Sequence, residues 1–198
     1  MSGERVTSQN TVKYLAIGMP LGITMTGDPA IYSVRLGRGY IYMSEETYRV
    51  WLSALNGIDS DEFESILHSA AEKDDYAATL EWFIESNLVI PWALEDADFS
   101  YYSKIRVSPC GTGTGENPDS PGMFNIADRS GTIDALQVDF VAYMLWSNCN
   151  GLRSLSDACQ ATADYLGVGV SVDQVRRLAV TLIPKLLHHK LALLELAC

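Results

Sequence analysis

The sequence predicts an α+β protein made of two tandem copies of one small domain, each a β-hairpin lead-in, three helices and a short terminal strand. Three observations carry that expectation. Segments about ninety-four residues apart vary one pattern: YIYMSEETYRVWLSALNG (Tyr40 to Gly57) and TIDALQVDFVAYMLWSNCNG (Thr132 to Gly151) align Tyr48 with Tyr143, Trp51 with Trp146, and Asn56-Gly57 with Asn150-Gly151. Upstream, DPAIYSV (Asp28 to Val34) answers SPGMFNI (Ser120 to Ile126); downstream, each Asn-Gly is followed by a Ser-capped helix, another helix and an apolar strand. The chain of 198 residues divides into two units of roughly 95 residues, a length that supports one core each. The expected domains are residues 1–96 and 97–198.

In copy one, Tyr32 to Leu36 and Tyr40 to Tyr42 flank Gly37-Arg38-Gly39, which reads as a hairpin with glycines supplying positive φ. Ser44 is placed to cap the first helix, with Glu45 and Glu46 at the positive end of its dipole. Tyr48, Trp51, Leu52 and Leu55 fall at i, i+3, i+4 and i+7, one buried face, and Gly57 closes the helix. Ser60 is placed to cap a second helix that buries Phe63, Ile66, Leu67 and Ala70. Asp74 or Asp75 starts a third, with Tyr76, Leu80, Phe83 and Ile84 inward, before the strand at Leu88 to Ile90.

Copy two repeats this order. Asp139 caps the helix ending at Asn150-Gly151, Ser154 with Asp157 opens the next, and Ser171 caps the third, whose stripe is Val172, Val175, Leu178, Leu182 and Leu186. Pro184 lies inside that helix and is expected to kink it or end its regular part. The Gly- and Pro-rich stretch from Ser108 to Gly122 reads as a loop after a domain boundary near Ala93 to Asp98.

Charge narrows the partners. The net charge is −11, and residues 1–96 carry 15 acidic residues against six basic ones. From 59 to 96 there are eleven acids and Lys73 alone, a face that repels a phosphate backbone. The N-terminal MSGERVTSQN has no apolar core of a signal peptide, and no apolar run approaches the roughly 20 residues that span a bilayer. Cys110, Cys149, Cys159 and Cys198 lack C-x-x-C spacing and read as reduced thiols, so the expected location is cytoplasmic, without a membrane partner or a metal.

A strand pair leading into a helix that ends in Trp-x-x-x-x-Asn-Gly in copy one and Trp-x-x-x-Asn-Gly in copy two, then a Ser-capped helix and a third helix, resembles the winged helix-turn-helix class, here in tandem. More narrowly it is similar to the winged-helix recognition domains that accompany peptide-modifying enzymes and hold their precursor peptides. The resemblance covers residues 28–92 and 120–196. It implies either DNA reading by the third helix or service as a protein or peptide adaptor.

Each alternative has its candidate residues. For DNA, Arg176, Arg177, Lys185 and Lys190 cluster with His188 and His189 on the third helix of copy two, although basic groups at a helix C-terminus also simply complement its dipole. That reading leaves copy one for a signal or for a homodimer contact. For a peptide, Tyr32, Tyr40 and Tyr42 alternate on the hairpin of copy one, where an exposed aromatic edge strand accepts another strand. GTGTG (Gly111 to Gly115) lacks the Gly-Lys-Ser/Thr ending of a phosphate loop and opens no helix, so no cofactor is expected from it. His68, His188 and His189 have no acid or nucleophile placed beside them by sequence. The sequence therefore predicts a regulatory or adaptor protein that binds a protein or peptide and is not an enzyme, with a transcriptional regulator as the alternative.

Overall fold

A computed structural model describes residues 12–70, 76–93, 99–129 and 135–197. The expected caps Asp74 and Asp75, the boundary between residues 96 and 97, and Cys198 lie outside the described residues. The first half runs β1 (Val12–Ala16), β2 (Met19–Met25), β3 (Ile31–Leu36), β4 (Gly39–Met43), α1 (Glu45–Ser53), β5 (Ile58–Asp59), α2 (Ser60–Ala70), α3 (Tyr76–Glu85) and β6 (Val89–Ala93). The second runs β7 (Ile105–Pro109), β8 (Gly111–Glu116), β9 (Met123–Asp128), β10 (Leu136–Asp139), α4 (Phe140–Asn148), α5 (Leu155–Leu166), α6 (Val172–His188) and β11 (Ala192–Leu196). The fold is α+β, with helices packed on small antiparallel sheets.

Corresponding elements pair alike. Strands β2-β3-β4 and β8-β9-β10 are antiparallel meanders, while β6 returns to β1 and β11 returns to β7. The strand after each third helix thus pairs with the strand that opens its half, not with a successive hairpin. Caps form where sequence places them: Ser44, Asp139, Ser154 and Ser171 each accept a backbone N–H from the first turn, and Ser171 with Gln174 completes a capping box. One aromatic triplet also recurs, Tyr32–Tyr48–Trp51 at 4.9 and 5.8 Å between rings, and Phe124–Tyr143–Trp146 at 4.9 and 5.7 Å.

The stretch expected to be a loop is partly a strand. Gly111 to Glu116 is β8, paired along β9, and only 117–122 turns. Its glycines let backbone lie directly on α4. A Cβ at Gly113 would collide with the Tyr143 hydroxyl and come within 3.0 Å of the Trp146 ring, and one at Gly111 would sit 2.9 Å from the Ala127 carbonyl oxygen. Gly113→Ala is therefore expected to destabilise the protein by about 1–3 kcal/mol, read by thermal denaturation. Adding Tyr143→Phe, which removes the offending oxygen, should recover part of the loss.

Pro184 does not end α6, which continues to His188. A proline there cannot donate to the Val180 carbonyl one turn back. That carbonyl instead accepts the Trp92 indole N–H at 2.8 Å, so the tertiary fold supplies what the helix lacks.

Two apolar clusters form the core, and they meet at the β1–β6 ribbon. Along it side chains alternate: Tyr14, Ala16 and Val89 face the first cluster, whereas Leu15, Ile17, Ile90 and Trp92 belong to the second, with α4, α5 and α6. Both faces of the ribbon are buried. The seam is closed by backbone too, since the Gly18 N–H donates to the Leu194 carbonyl at 2.7 Å.

Candidate functional site

An open groove of the first half lies where β4 meets α3. A two-residue turn at Gly37-Arg38 joins β3 to β4, and Gly37 has φ of +60°, which glycine adopts without strain. Among the described residues β4 pairs on one side only, with β3. The register Leu36↔Gly39, Arg35↔Tyr40, Val34↔Ile41, Ser33↔Tyr42 alternates bonded and non-bonded pairs from the turn outward. Tyr40 and Tyr42 occupy the non-bonded pairs, so their backbone N–H and C=O groups point away from β3, to the free edge.

Side chains agree with that placement for two of the three expected tyrosines. Tyr40 is 57% and Tyr42 59% exposed. Tyr32 is corrected: it lies on the central strand, opposite Met43, and its ring packs 4.9 Å from Tyr48 on the inner face. Alternation along one strand says which residues share a face, and Tyr32 belongs to the other strand of the hairpin.

Beside this edge runs a groove of about 410 Å³, with Tyr42, Met43 and Thr47 on one wall and Ala78, Thr79 and Trp82 on the other. Trp82 is 38% exposed at the rim, while its neighbour Phe83 is fully buried. The signal available was position: adjacent residues on a helix diverge by about 100°, so both cannot face one core.

The DNA candidates form no continuous basic stripe. Arg177, Lys185 and Lys190 are exposed, but Arg176 is half-buried, pairs with Asp173 at 3.2 Å, and its carbonyl accepts from the Tyr102 hydroxyl. Asp173 stands on the same solvent face, and most of α6 from Ala179 to Leu187 is buried. A recognition helix must present its surface to a groove about 12 Å wide, and α6 offers one narrow, charge-mixed strip.

Histidines and thiols occupy structural positions. The His68 ring lies 3.6 Å from Tyr76, and the His188 and His189 rings stand nearly perpendicular. Burial raises the Cys149 thiol far above its usual value and the Cys159 thiol to about 12, so both stay protonated at neutral pH. Among the described residues no group of three His, Cys, Asp or Glu side chains is placed to hold a metal.

One buried charge cluster went unread in the sequence. Glu195 on β11 is 4% exposed and accepts from Arg35 Nη2 at 2.9 Å and from the Ser108 hydroxyl, with Arg106 Nη2 3.6 Å away. Its partners lie 160 and 87 residues distant, a separation that no local pattern reveals. It joins β3 of the first half to the second-half sheet and is structural.

No family model and no curated protein matches the chain. Among solved structures, one match is PKMT2 from Rickettsia typhi in complex with AdoHcy, at 14% identity and a TM-score of 0.36, covering 91% of this chain and 42% of that one. The chain thus spans less than half the length of that protein. The expectation that this chain is not an enzyme is corrected on this finding. A likeness of this degree assigns no reaction to the chain, and the exclusion of catalysis is withdrawn. Among the described residues no helix is long and apolar enough to cross a membrane.

Proposed function

We propose that the protein is a regulatory or adaptor module that receives an extended segment of a protein partner along β4. The observation that supports this reading most is the free β4 edge, with Tyr40 and Tyr42 exposed on it and the Trp82 groove alongside. Backbone groups at an open edge supply affinity by strand addition, and alternate pockets supply selectivity. Exposed aromatics add large apolar area at little entropic cost. Such an edge left uncovered also invites aggregation, which a resident partner would suppress. The buried, protonated Cys149 and Cys159 favour a reducing, cytoplasmic setting. Two winged-helix-like units at 1–96 and 97–198 remain the organisation that the repeated element order supports.

The test uses a backbone lesion that spares the fold. Tyr42→Pro removes an N–H that points to the free edge, where proline is tolerated, and leaves the β3–β4 ladder intact. A displayed library of extended peptides is selected on the wild-type protein and then measured against Tyr42→Pro and Tyr42→Ala. The expected result is binding lost by about tenfold or more in Tyr42→Pro, weakened less in Tyr42→Ala, and protection of the Tyr40 and Tyr42 amides from exchange. Peptides that bind Tyr42→Pro as well as wild type would sink the strand-addition reading.

A further inference from the structure

The two third helices correspond residue by residue, and one has a covered face where the other has an open groove. Asn87 and Lys190 both have positive φ, 55° and 56°. The next amide in each case reaches back into the helix, from Leu88 to the Phe83 carbonyl at 2.9 Å and from Leu191 to the Leu186 carbonyl at 2.8 Å. Aligned on that shared terminus, Tyr76, Ala77, Leu80 and Ile84 of α3 stand where Ala179, Val180, Ile183 and Leu187 stand in α6.

In α6 all four of these residues are buried. Their cover includes Trp92, bonded to the Val180 carbonyl and stacked 5.4 Å from Tyr102, whose hydroxyl reaches the Arg176 carbonyl. Aromatic residues from the polypeptide that leads into the second half therefore occupy this face. In α3 the corresponding residues form the floor of an open groove of about 660 Å³, rimmed by Glu64, Glu81 and Glu85.

We propose that the α2–α3 groove docks a partner-protein segment that presents an aromatic side chain flanked by lysine or arginine. The apolar floor has the position and composition of a face that takes a tryptophan elsewhere in this same chain. Chemistry at the rim differs. Glu81 and Glu85 replace Pro184 and His188 on the alignment, so α3 offers carboxylates in place of the carbonyl that proline frees in α6. Two carboxylates beside an apolar floor select a cationic neighbour for the aromatic anchor and reject an acidic one. This surface is separate from the β4 edge and does not rest on it.

The experiment uses the full chain and a fluorescein-labelled peptide, PWALKKAKFSYYS, which is this chain's own Pro91 to Ser103 with Glu95→Lys, Asp96→Lys and Asp98→Lys. Fluorescence anisotropy should show saturable binding, weakened by about tenfold or more when the peptide carries Trp92→Ala or the protein carries Glu81→Lys with Glu85→Lys. The reciprocal swap guards against a misfolded variant: the unaltered acidic peptide PWALEDADFSYYS should bind the charge-reversed protein better than wild type. Tyr42→Pro should leave all of this unchanged, which separates failure here from failure of the β4 reading. Absence of saturable binding to wild type, or binding indifferent to both charge reversal and the tryptophan, overturns the proposal.

Discussion

Replacing Trp92 with alanine is expected to lower the unfolding free energy by about 3–5 kcal/mol, the cost of emptying a well-packed buried indole site. Trp92 is 5% exposed and lies on the face of the β1–β6 ribbon that belongs to the second-half cluster, so the loss is felt in both halves. Its hydrogen bond makes a sharper test. Trp92→Phe keeps a ring in the site but deprives the Val180 carbonyl of the indole N–H, inside a helix where Pro184 has no N–H to offer. An orphaned buried carbonyl costs about 1–3 kcal/mol. Pro184→Ala in the Trp92→Phe background restores a helical N–H to that carbonyl and should recover part of the loss. In the wild-type background the same change introduces a competitor for the indole and should gain little. Chemical denaturation of the four proteins closes the cycle; strictly additive effects would show that the indole and the proline are not coupled through Val180.

What could be read from sequence divides along a physical line. Helix starts were legible because a cap is a local event: Ser44, Asp139, Ser154 and Ser171 bind amides three residues away. The Tyr48/Tyr143 and Trp51/Trp146 correspondences were legible because helical spacing fixes which residues share a face. Strand β1 was not, since a ribbon buried on both faces shows no polar alternation. Strand β8 was hidden by composition. GTGTG carries loop residues, but at Gly111 and Gly113 their small size serves close packing on Leu191, Tyr143 and Trp146. At the candidate site Tyr40 and Tyr42 followed from period two on one strand, while Tyr32 and Trp82 needed the layer order of sheet and helices. Pro184 was read by its local rule, yet the helix runs on to His188, with the Val180 carbonyl taken by a donor from 88 residues away along the chain.

Glu195→Gln is the second large effect, expected to cost about 3 kcal/mol at neutral pH because it strips the charge from a buried carboxylate that serves two guanidiniums. The glutamate is nearly enclosed, with 6% of its side chain exposed, whereas Arg35 keeps 38% of its own, so solvent screens part of the loss and places it at the low end for a broken buried pair. Two arginines facing one carboxylate leave the variant with an uncompensated positive pair, and the Nε atoms of both arginines are already buried without an acceptor among the described residues. The pH dependence follows from the direction of the shift. Burial alone would push the Glu195 carboxyl up, but hydrogen bonds from Ser108 and Arg35, with the charges of Arg106 and Arg35, outweigh it and hold the group below its ordinary value of 4.5. A carboxyl that is a stronger acid when folded binds its proton more readily when unfolded. Its contribution is therefore fully present above about pH 4.5 and drains away as pH falls through the lower folded value. Wild type should lose stability on acidification more steeply than Glu195→Gln, and the gap between the two should narrow as pH falls from about 4.5 through the lower folded value, beneath which both positions are neutral. Other carboxylates titrate alike in the two proteins and cancel in the difference between their denaturation curves. If that difference stays constant from neutral pH down to pH 3, below the ordinary range of carboxyl titration, the Glu195 charge does not hold the two halves together.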